Sequence, residues 1–176
     1  PDYFRVWARA PAMGVPTGSQ QAINAGPVAA VTRVPRLVTG RYRTLEEAEQ
    51  VMRDVAADMV SLVRAQIAEP QLVAKTRDGD PMDVRPCIAC NQGCVGGLLT
   101  IGRMQCTVNP AAGYESTLDE RLIEPAPELL KVLIVGGGPA GLEAARVAAL
   151  RGHAVTLAEA QPRLGGAARL ASQGPN

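Results

Sequence analysis

The feature that most constrains the fold of this chain is the stretch KVLIVGGGPAGLEAARVAALRGHAVTLAEA, residues 131–160. An apolar run is followed by a glycine-rich turn, an alanine-rich helical pattern and a second apolar run. This order predicts a β-strand, an α-helix and a second β-strand, and a helix that connects two strands in this way makes them parallel. The chain is therefore predicted to be an α/β protein.

The turn after the first predicted strand matches the pattern G-x-G-x-x-G through Gly136, Gly138 and Gly141. In a dinucleotide-binding loop, the first glycine makes the tight turn, the second lets the backbone approach a pyrophosphate, and the third lets the helix pack on the strand. Pro139 and Ala140 lie in the same loop, where the helix N-terminus supplies N–H donors to phosphate. The alternative is a glycine loop that serves only packing.

Glu159 closes the second predicted strand, 18 residues after the last glycine of the pattern. A carboxylate at this position accepts hydrogen bonds from the ribose hydroxyls of a bound nucleotide. No basic residue follows it directly, so a 2′-phosphate is disfavoured and NADP is not expected at this site. FAD, ADP and NAD remain open as the nucleotide.

The four cysteines of the chain form a second pattern, C-x2-C-x3-C-x11-C, at Cys87, Cys90, Cys94 and Cys106. The opening residues lack the apolar core of a signal peptide, and no apolar run is long enough to span a membrane. We therefore expect a cytoplasmic protein, where thiols stay reduced and clustered cysteines bind metal more often than they form disulfides.

The spacing of these cysteines favours a 4Fe–4S cluster over a zinc ion. Structural zinc sites usually take two separate C-x2-C pairs, whereas here three thiols come from one tight loop and the fourth from a distance, as a cubane cluster requires. Gly93, Gly96 and Gly97 are expected to keep side chains away from the sulfides and to leave N–H groups free to bond them. Zinc is the remaining alternative.

Charge and composition argue against one class of partner. The 18 basic and 17 acidic residues nearly cancel, and the chain has one Trp, three Tyr and one Phe. A nucleic-acid binder needs a basic face and uses aromatic side chains for base stacking. We therefore expect neither nucleic acid nor a membrane as a partner.

Upstream of the cysteines, apolar runs and helical patterns alternate, which again predicts a parallel α/β arrangement. Thr44 is expected to begin a helix through a capping box with Glu47. The predicted elements are strands within residues 2–10, 34–40 and 58–63, and helices over 20–32, over 44–57 and on both sides of Pro70. The residues expected to share the buried face of the second helix are Leu45, Ala48, Met52 and Val55.

Taken together, these motifs resemble the iron–sulfur branch of the old yellow enzyme family, which includes 2,4-dienoyl-CoA reductase and trimethylamine dehydrogenase. The resemblance covers nearly the whole chain from about residue 30 onward. The segments that carry it are VTGRYRTLEEAEQVMRDVAADMVSLVRAQIAEPQL, RPCIACNQGC, CTVNPAAG, VLIVGGGPAGLEAA, GHAVTLAEA and LGG. Within that family, LGG favours FAD as the nucleotide of the glycine loop.

The resemblance implies three kinds of structure in one chain. Residues 1–80 would be the C-terminal part, strands 6 to 8, of a TIM (β/α)8 barrel, and residues 81–115 the cluster-binding segment. Residues 116–129 would be a linker. Residues 130–176 would form the first βαβ unit of a Rossmann-like domain that binds FAD or ADP.

In such a barrel, the loops after strands 7 and 8 bind the phosphate of FMN. If RLVTGR is strand 7 and DMVSLVR is strand 8, Gly40 and Arg41 lie at the first loop. Val63 and Arg64 then lie at the second. Arginine suits this position because a guanidinium binds two phosphate oxygens at once. Val63 is larger than the small residue usual at its position.

The resemblance implies an NAD(P)H:flavin oxidoreductase. Electrons would pass from NAD(P)H to FAD, the 4Fe–4S cluster and FMN, and then to a small-molecule substrate, an activated alkene or an enoyl-CoA thioester. The catalytic acid is expected outside this chain, which would be an internal piece of the enzyme and inactive alone. Two alternatives remain: a free-standing iron–sulfur electron-transfer protein with a bound nucleotide, and a zinc-stabilised binding module.

Overall fold

A computed structural model of the chain describes residues 10–16, 19, 26–27, 30–31, 33–55, 57–79 and 81–174. The chain divides into two compact units, Pro1–Glu115 and Ser116–Pro175. All but the last residue of the strand predicted within residues 2–10, and most of the helix predicted over 20–32, lie outside the described residues. Within the described part, no helix has both the length and the apolar character needed to cross a bilayer.

The first unit is organised around two short parallel strands, β1 (Leu37–Thr39) and β2 (Met59–Ser61), which α1 (Leu45–Val55) connects. Their register places the last residues of both strands opposite each other, so both carboxyl ends lie at the same edge. Both strands and the helix confirm the sequence-based prediction. The buried apolar residues of this core are Val38, Tyr42, Val51 and Ala57, with Val60 and Leu62 packed against them.

The N-terminus of α1 has one half of the predicted capping box. The Thr44 hydroxyl accepts a hydrogen bond from the Glu47 N–H at 3.2 Å. The Glu47 carboxylate, however, accepts from the N–H of Arg43 at 2.6 Å and pairs with the Arg43 guanidinium at 3.2 Å. The predicted second bond of the capping box, from the Thr44 N–H to the Glu47 carboxylate, was therefore wrong. The carboxylate binds Arg43, the residue before Thr44, because the two side chains form an ion pair.

The buried face of α1 also differs from the predicted one. Ala48 and Val51 are buried, whereas Met52 is exposed. In a helix, both the third and the fourth residue along the chain return to the same side, so spacing alone does not choose between positions 51 and 52. The strands beneath the helix make that choice.

After β2, the chain is helical on both sides of Pro70, as predicted, in α2 (Val63–Ala68) and α3 (Leu72–Arg77). The cysteine-bearing segment then contains a helical turn that the sequence did not predict, a π-helix over Gln92–Gly96 that continues into α4 (Gly97–Thr100). Asn109 holds the end of this segment to α2, because its buried side-chain amide donates to the carbonyl of Ile67 at 2.8 Å.

The second unit contains the predicted strand–helix–strand motif. Its two strands are parallel and aligned from Lys131 opposite Ala154 to Val135 opposite Ala158. The helix begins at Pro139, three residues before the predicted Leu142, because proline is favoured in the first turn of a helix. The elements of this unit are α5 (Glu115–Leu118, at the boundary), β3 (Lys131–Val135), α6 (Pro139–Leu150), β4 (Ala154–Ala158) and α7 (Gly166–Ala171).

Residues 116–129, interpreted from the sequence as a linker, contact α6 and its C-terminal end. Glu120 forms an ion pair with Arg146 at 3.0 Å, and the N–H of Ala126 donates to the carbonyl of Arg151 at 2.9 Å. These residues are therefore part of the second unit.

Glu69 ties the helical pair α2–α3 to the start of the cysteine segment. Its carboxylate accepts from Lys75 Nζ at 2.7 Å, from the Gln71 N–H at 3.1 Å and from the Arg85 N–H at 3.4 Å. Lys75 Nζ also donates to the carbonyl of Asp83 at 3.0 Å. Burial alone would raise the pKa of Glu69, but these hydrogen bonds and the charge of Lys75 outweigh it and lower the pKa.

We expect Glu69→Gln to lower the free energy of unfolding by about 2 kcal/mol at neutral pH, since a charge-assisted bond is lost at a buried site. The folded pKa lies below the unfolded one, so this stabilisation is complete above the ordinary glutamate pKa and is lost as the pH falls through the folded value. Urea unfolding at neutral and acidic pH measures the free energy of unfolding of the wild type and of Glu69→Gln. Glu49→Gln, on the exposed side of α1, is the control. A difference between wild type and Glu69→Gln that stays constant in acid would contradict the expectation.

Candidate functional site

The four cysteines line one small cavity in the first unit. All four are free thiols and all are partly buried: Cys87, Cys90, Cys94 and Cys106. The structure thus brings together the set that the sequence pattern singled out. Among the residues described, no group of three or more His, Cys, Asp or Glu side chains converges closely enough to hold a single metal ion. Thiolates around a cubane cluster stand farther apart, because the cluster is larger than one ion.

The backbone of the cysteine loop adopts a conformation that non-glycine residues rarely take. Ala89 and Asn91 both have left-handed backbone angles, with φ of 53° and 57°. Such residues cost free energy and occur mostly where the surrounding structure enforces them, often at functional sites. One result is that the Ala89 N–H points at a thiol and donates to Cys87 Sγ at 3.4 Å. The sequence carries no local signal for this role of Ala89.

Close packing of two backbone segments explains two of the glycines. A Cβ on Gly93 would lie 2.8 Å from the carbonyl carbon and oxygen of Gln105, and one on Gly97 would lie 2.5 Å from the carbonyl oxygen of Arg103. The Gln105 N–H also donates to the Gly93 carbonyl at 2.9 Å. These glycines let the turn that carries Cys94 pack against residues 103–105, which precede Cys106. The sequence suggested only that glycines here leave room around the sulfides.

Polar groups lie close to two of the thiols. Cys90 Sγ lies 3.3 Å from the Thr107 hydroxyl, within hydrogen-bonding distance for sulfur. Burial raises the pKa of the Cys87 thiol, while the N–H of Ala89 and the charge of Arg64 act in the opposite direction. A buried thiol of this kind releases its proton when it binds a cationic centre.

A second cavity, of about 320 Å³, lies at the carboxyl ends of β1 and β2. Its lining includes Thr39 and Ser61, which end the two strands, and the residues that follow them, Arg41, Val63 and Arg64. Parallel α/β proteins bind ligands at this edge of the sheet. The structure therefore brings three of the four predicted phosphate-site residues to one cavity, and Gly40 lies buried beside Arg41.

Arg41 is the unusual residue of this second cavity. Only 7% of its surface is exposed, its φ is 55°, and its Nε and Nη2 atoms have no hydrogen-bond partner in the described part of the chain. Burial, together with the charges of Arg43 and Arg64, lowers its pKa. An unpaired buried guanidinium is costly. An anion in the cavity would supply the missing acceptors.

Arg64 is engaged differently, although it follows the neighbouring strand. Its Nη1 donates to Asn91 Oδ1 at 2.6 Å and to the Pro11 carbonyl at 2.8 Å. Arg64, Ile67 and Cys94 line both cavities, so these three residues form the wall that the cysteine cavity shares with the cavity of Arg41.

The glycine loop of the second unit has the geometry of a binding turn. Gly136 has φ of 104°, and a Cβ on Gly141 would collide with the Gly136 carbonyl oxygen. No protein atom lies within 4 Å of the position that a Cβ on Gly138 would take. The left-handed backbone thus explains the first glycine and close packing the third, while the Cβ position of Gly138 stays open.

Glu159 reaches back to this loop. Its carboxylate accepts from the N–H groups of Gly137, at 2.6 Å, and Gln161, at 2.7 Å. The bonds from Gln161 and Gly137 lower its pKa, so it is ionised at neutral pH. Gly137 was not among the predicted site residues. It contributes this donor, and a side chain there would meet Leu164.

Comparison with known proteins first gives the class of the second unit. Residues 134–175 match the family model described as an NAD(P)-binding Rossmann-like domain. An NADH oxidase from Thermoanaerobacter brockii is 43% identical over 146 residues, which are 82% of this chain and 22% of that protein. A multifunctional alkene reductase/demethylase OYE from Caballeronia cordobensis is 39% identical over 148 residues, 84% of this chain and 20% of that protein.

Among solved structures, histamine dehydrogenase from Rhizobium sp. 4-9 superposes with a TM-score of 0.78 and 36% identity, over 89% of this chain and 22% of that one. The resemblance that the sequence predicted is confirmed: over most of its length the chain is similar to these NADH oxidase, OYE-type alkene reductase and amine dehydrogenase proteins, and it spans about a fifth of their length. Its α/β class and Rossmann-like part are confirmed, while the numbering of its first strands within a barrel stays a prediction.

We expect Gly93→Ala to lower the free energy of unfolding by about 2 kcal/mol, because its Cβ meets backbone that cannot move without separating the two segments. Gly96→Ala is a matched control in the same turn, since its Cβ would approach only the Asn91 carbonyl, at 3.2 Å. It should cost clearly less. Urea unfolding followed by circular dichroism compares them, and equal losses would refute the packing explanation.

Proposed function

We propose that this chain is the electron-relay part of an NAD(P)H-dependent flavin oxidoreductase that reduces an activated alkene or an enoyl-CoA-type substrate. The observation that carries the proposal is the shared wall of Arg64, Ile67 and Cys94. On one side of this wall are four thiols, and on the other a cavity with the buried guanidinium of Arg41, whose Nε and Nη2 have no hydrogen-bond partner among the residues that the structure describes. A redox centre and an anionic cofactor would thus be neighbours in one unit.

The residues of the first cavity suit a 4Fe–4S cluster. Cys87, Cys90 and Cys94 come from one wrapping loop and Cys106 from a second segment, which Gly93 holds against it. The Ala89 N–H donates to one of these sulfurs, as backbone groups do around such clusters. A bound cluster supplies one-electron transfer between flavins that each carry two electrons.

The residues of the second cavity suit the phosphate of FMN. The free Nε and Nη2 atoms of Arg41 form one edge of a planar guanidinium, which matches two oxygens of a phosphate. Gly40 and Val63 follow β1 and β2 at the same edge, so their backbone lies beside the same group. In this proposal Arg41 holds the phosphate, and Arg64 contributes charge from the shared wall.

The second unit suits the adenine nucleotide part of FAD. The N-terminus of α6, from Pro139 and Ala140 onward, and the open space before Gly138 would receive the pyrophosphate. The ionised Glu159 would accept hydrogen bonds from the ribose and repel a 2′-phosphate. The Gly165 N–H donates to the Gly137 carbonyl at 2.7 Å, which brings the predicted LGG segment beside the same loop.

We expect the chain to take up about four iron and about four acid-labile sulfide ions when it is treated with both under anaerobic conditions. Cys94→Ser should lower this uptake, because one of the four thiolates is lost. Iron and sulfide assays, with electron paramagnetic resonance of the dithionite-reduced sample, measure it. A purified chain with one tightly held zinc ion and no sulfide would instead support the zinc-stabilised module and contradict the proposal.

We expect Glu159→Gln to weaken the binding of ADP about tenfold, since one charged acceptor of the ribose is lost. The same change should reduce the discrimination against 2′-phospho-ADP. Calorimetric titration of the chain with both nucleotides tests this. Glu128→Gln, an equal change of charge at an exposed position of the second unit, is the control. Equal affinities in the two variants would contradict a ribose contact for Glu159.

A further inference from the structure

Arg64 is the one charged side chain, apart from the thiols themselves, among the described residues that line the cysteine cavity. It also lines the cavity of Arg41. A positive charge in this wall is therefore close to both proposed redox sites. The family resemblance assigns this arginine to a phosphate, yet its Nη1 atom is directed to the cysteine loop.

The bonds of Arg64 also fix the shape of that loop. Its partner Asn91 is only 5% exposed, has a left-handed backbone and donates through Nδ2 to the Ala10 carbonyl at 2.6 Å. The Asn91 carbonyl in turn accepts from the Gly96 N–H at 2.8 Å, across the helical turn that carries Cys94. The guanidinium thus holds the residue on which this turn begins.

We propose that Arg64 is a positioning residue that sets the reduction potential of the cluster, an inference that rests on the proposed function. One electron added to the cluster adds one negative charge, and a fixed positive charge in the cavity wall stabilises the reduced form. The electron comes from a reduced flavin in the proposed enzyme and from dithionite in the test below. Asn91 links Arg64 to the cysteine loop, because its side chain binds the guanidinium and its carbonyl binds the turn that carries Cys94.

The test compares Arg64→Gln, Arg64→Lys and Arg77→Gln in the chain reconstituted with iron and sulfide. Arg77 lies exposed on α3, is paired with Asp78 and is not part of the cavity lining, so its substitution removes the same charge outside the cavity. We expect Arg64→Gln to shift the one-electron equilibrium toward the oxidised cluster about tenfold, or about 59 mV. Arg64→Lys should stay close to wild type. Redox titration followed by electron paramagnetic resonance gives the potentials. Equal potentials in Arg64→Gln and Arg77→Gln would overturn the inference.

A second readout separates this inference from the proposed function. In the chain without iron, hydrogen exchange of residues 91–96 should be faster in Arg64→Gln than in Arg77→Gln, because Asn91 loses its partner. Failure of the wild-type chain to take up iron and sulfide would defeat the proposed function by itself. Unchanged exchange of these residues in Arg64→Gln would overturn the positioning role of Arg64, whether or not a cluster assembles.

Discussion

Buried polar side chains hold the cysteine-bearing residues 81–115 in place, and the geometry of both cavities in the first unit depends on them. This segment has no strand among its described residues, so its backbone groups need partners from neighbouring elements. Glu69 accepts from its beginning, and Asn109 anchors its end to α2. Arg64 binds Asn91 near its centre. Each of these bonds satisfies a polar group that burial has removed from water. A few such bonds are therefore enough to order a loop rich in glycine and proline.

The two arginines that follow adjacent strands illustrate how burial assigns different roles to one residue type. Arg64 finds neutral oxygens within the chain, at Asn91 and Pro11, and its donors are partly satisfied there. Arg41 is buried, and among the described residues its Nε and Nη2 atoms have no such acceptors. A guanidinium keeps its charge under these conditions, so the unsatisfied one favours an anion in its cavity. The cavity of Arg41 and the cysteine cavity therefore share a wall whose charged residue, Arg64, is hydrogen-bonded to the cysteine loop.

Local signals in the sequence were reliable where the physical cause is itself local. Pro70 separates two helices, and the Thr44 hydroxyl caps α1, as the pattern indicated. The predictions were wrong where a side chain's position depends on a neighbouring residue or element. Arg43 takes the carboxylate expected to complete the capping box, and the strands beneath α1 bury Val51 and leave Met52 exposed. A helical period of 3.6 residues does not distinguish these last two positions.

The sequence by itself determined the chemical groups: four cysteines in one pattern, a glycine-rich strand–helix turn and a carboxylate after the following strand. Each is a short-range pattern whose function depends on residue type and spacing. Tertiary structure alone decided that Arg64 serves the cysteine loop, through a bond to Asn91 27 residues away, and that Gly137 provides a donor to Glu159. Contacts between residues so far apart depend on how the helices and strands pack, and no local pattern of residues encodes that packing.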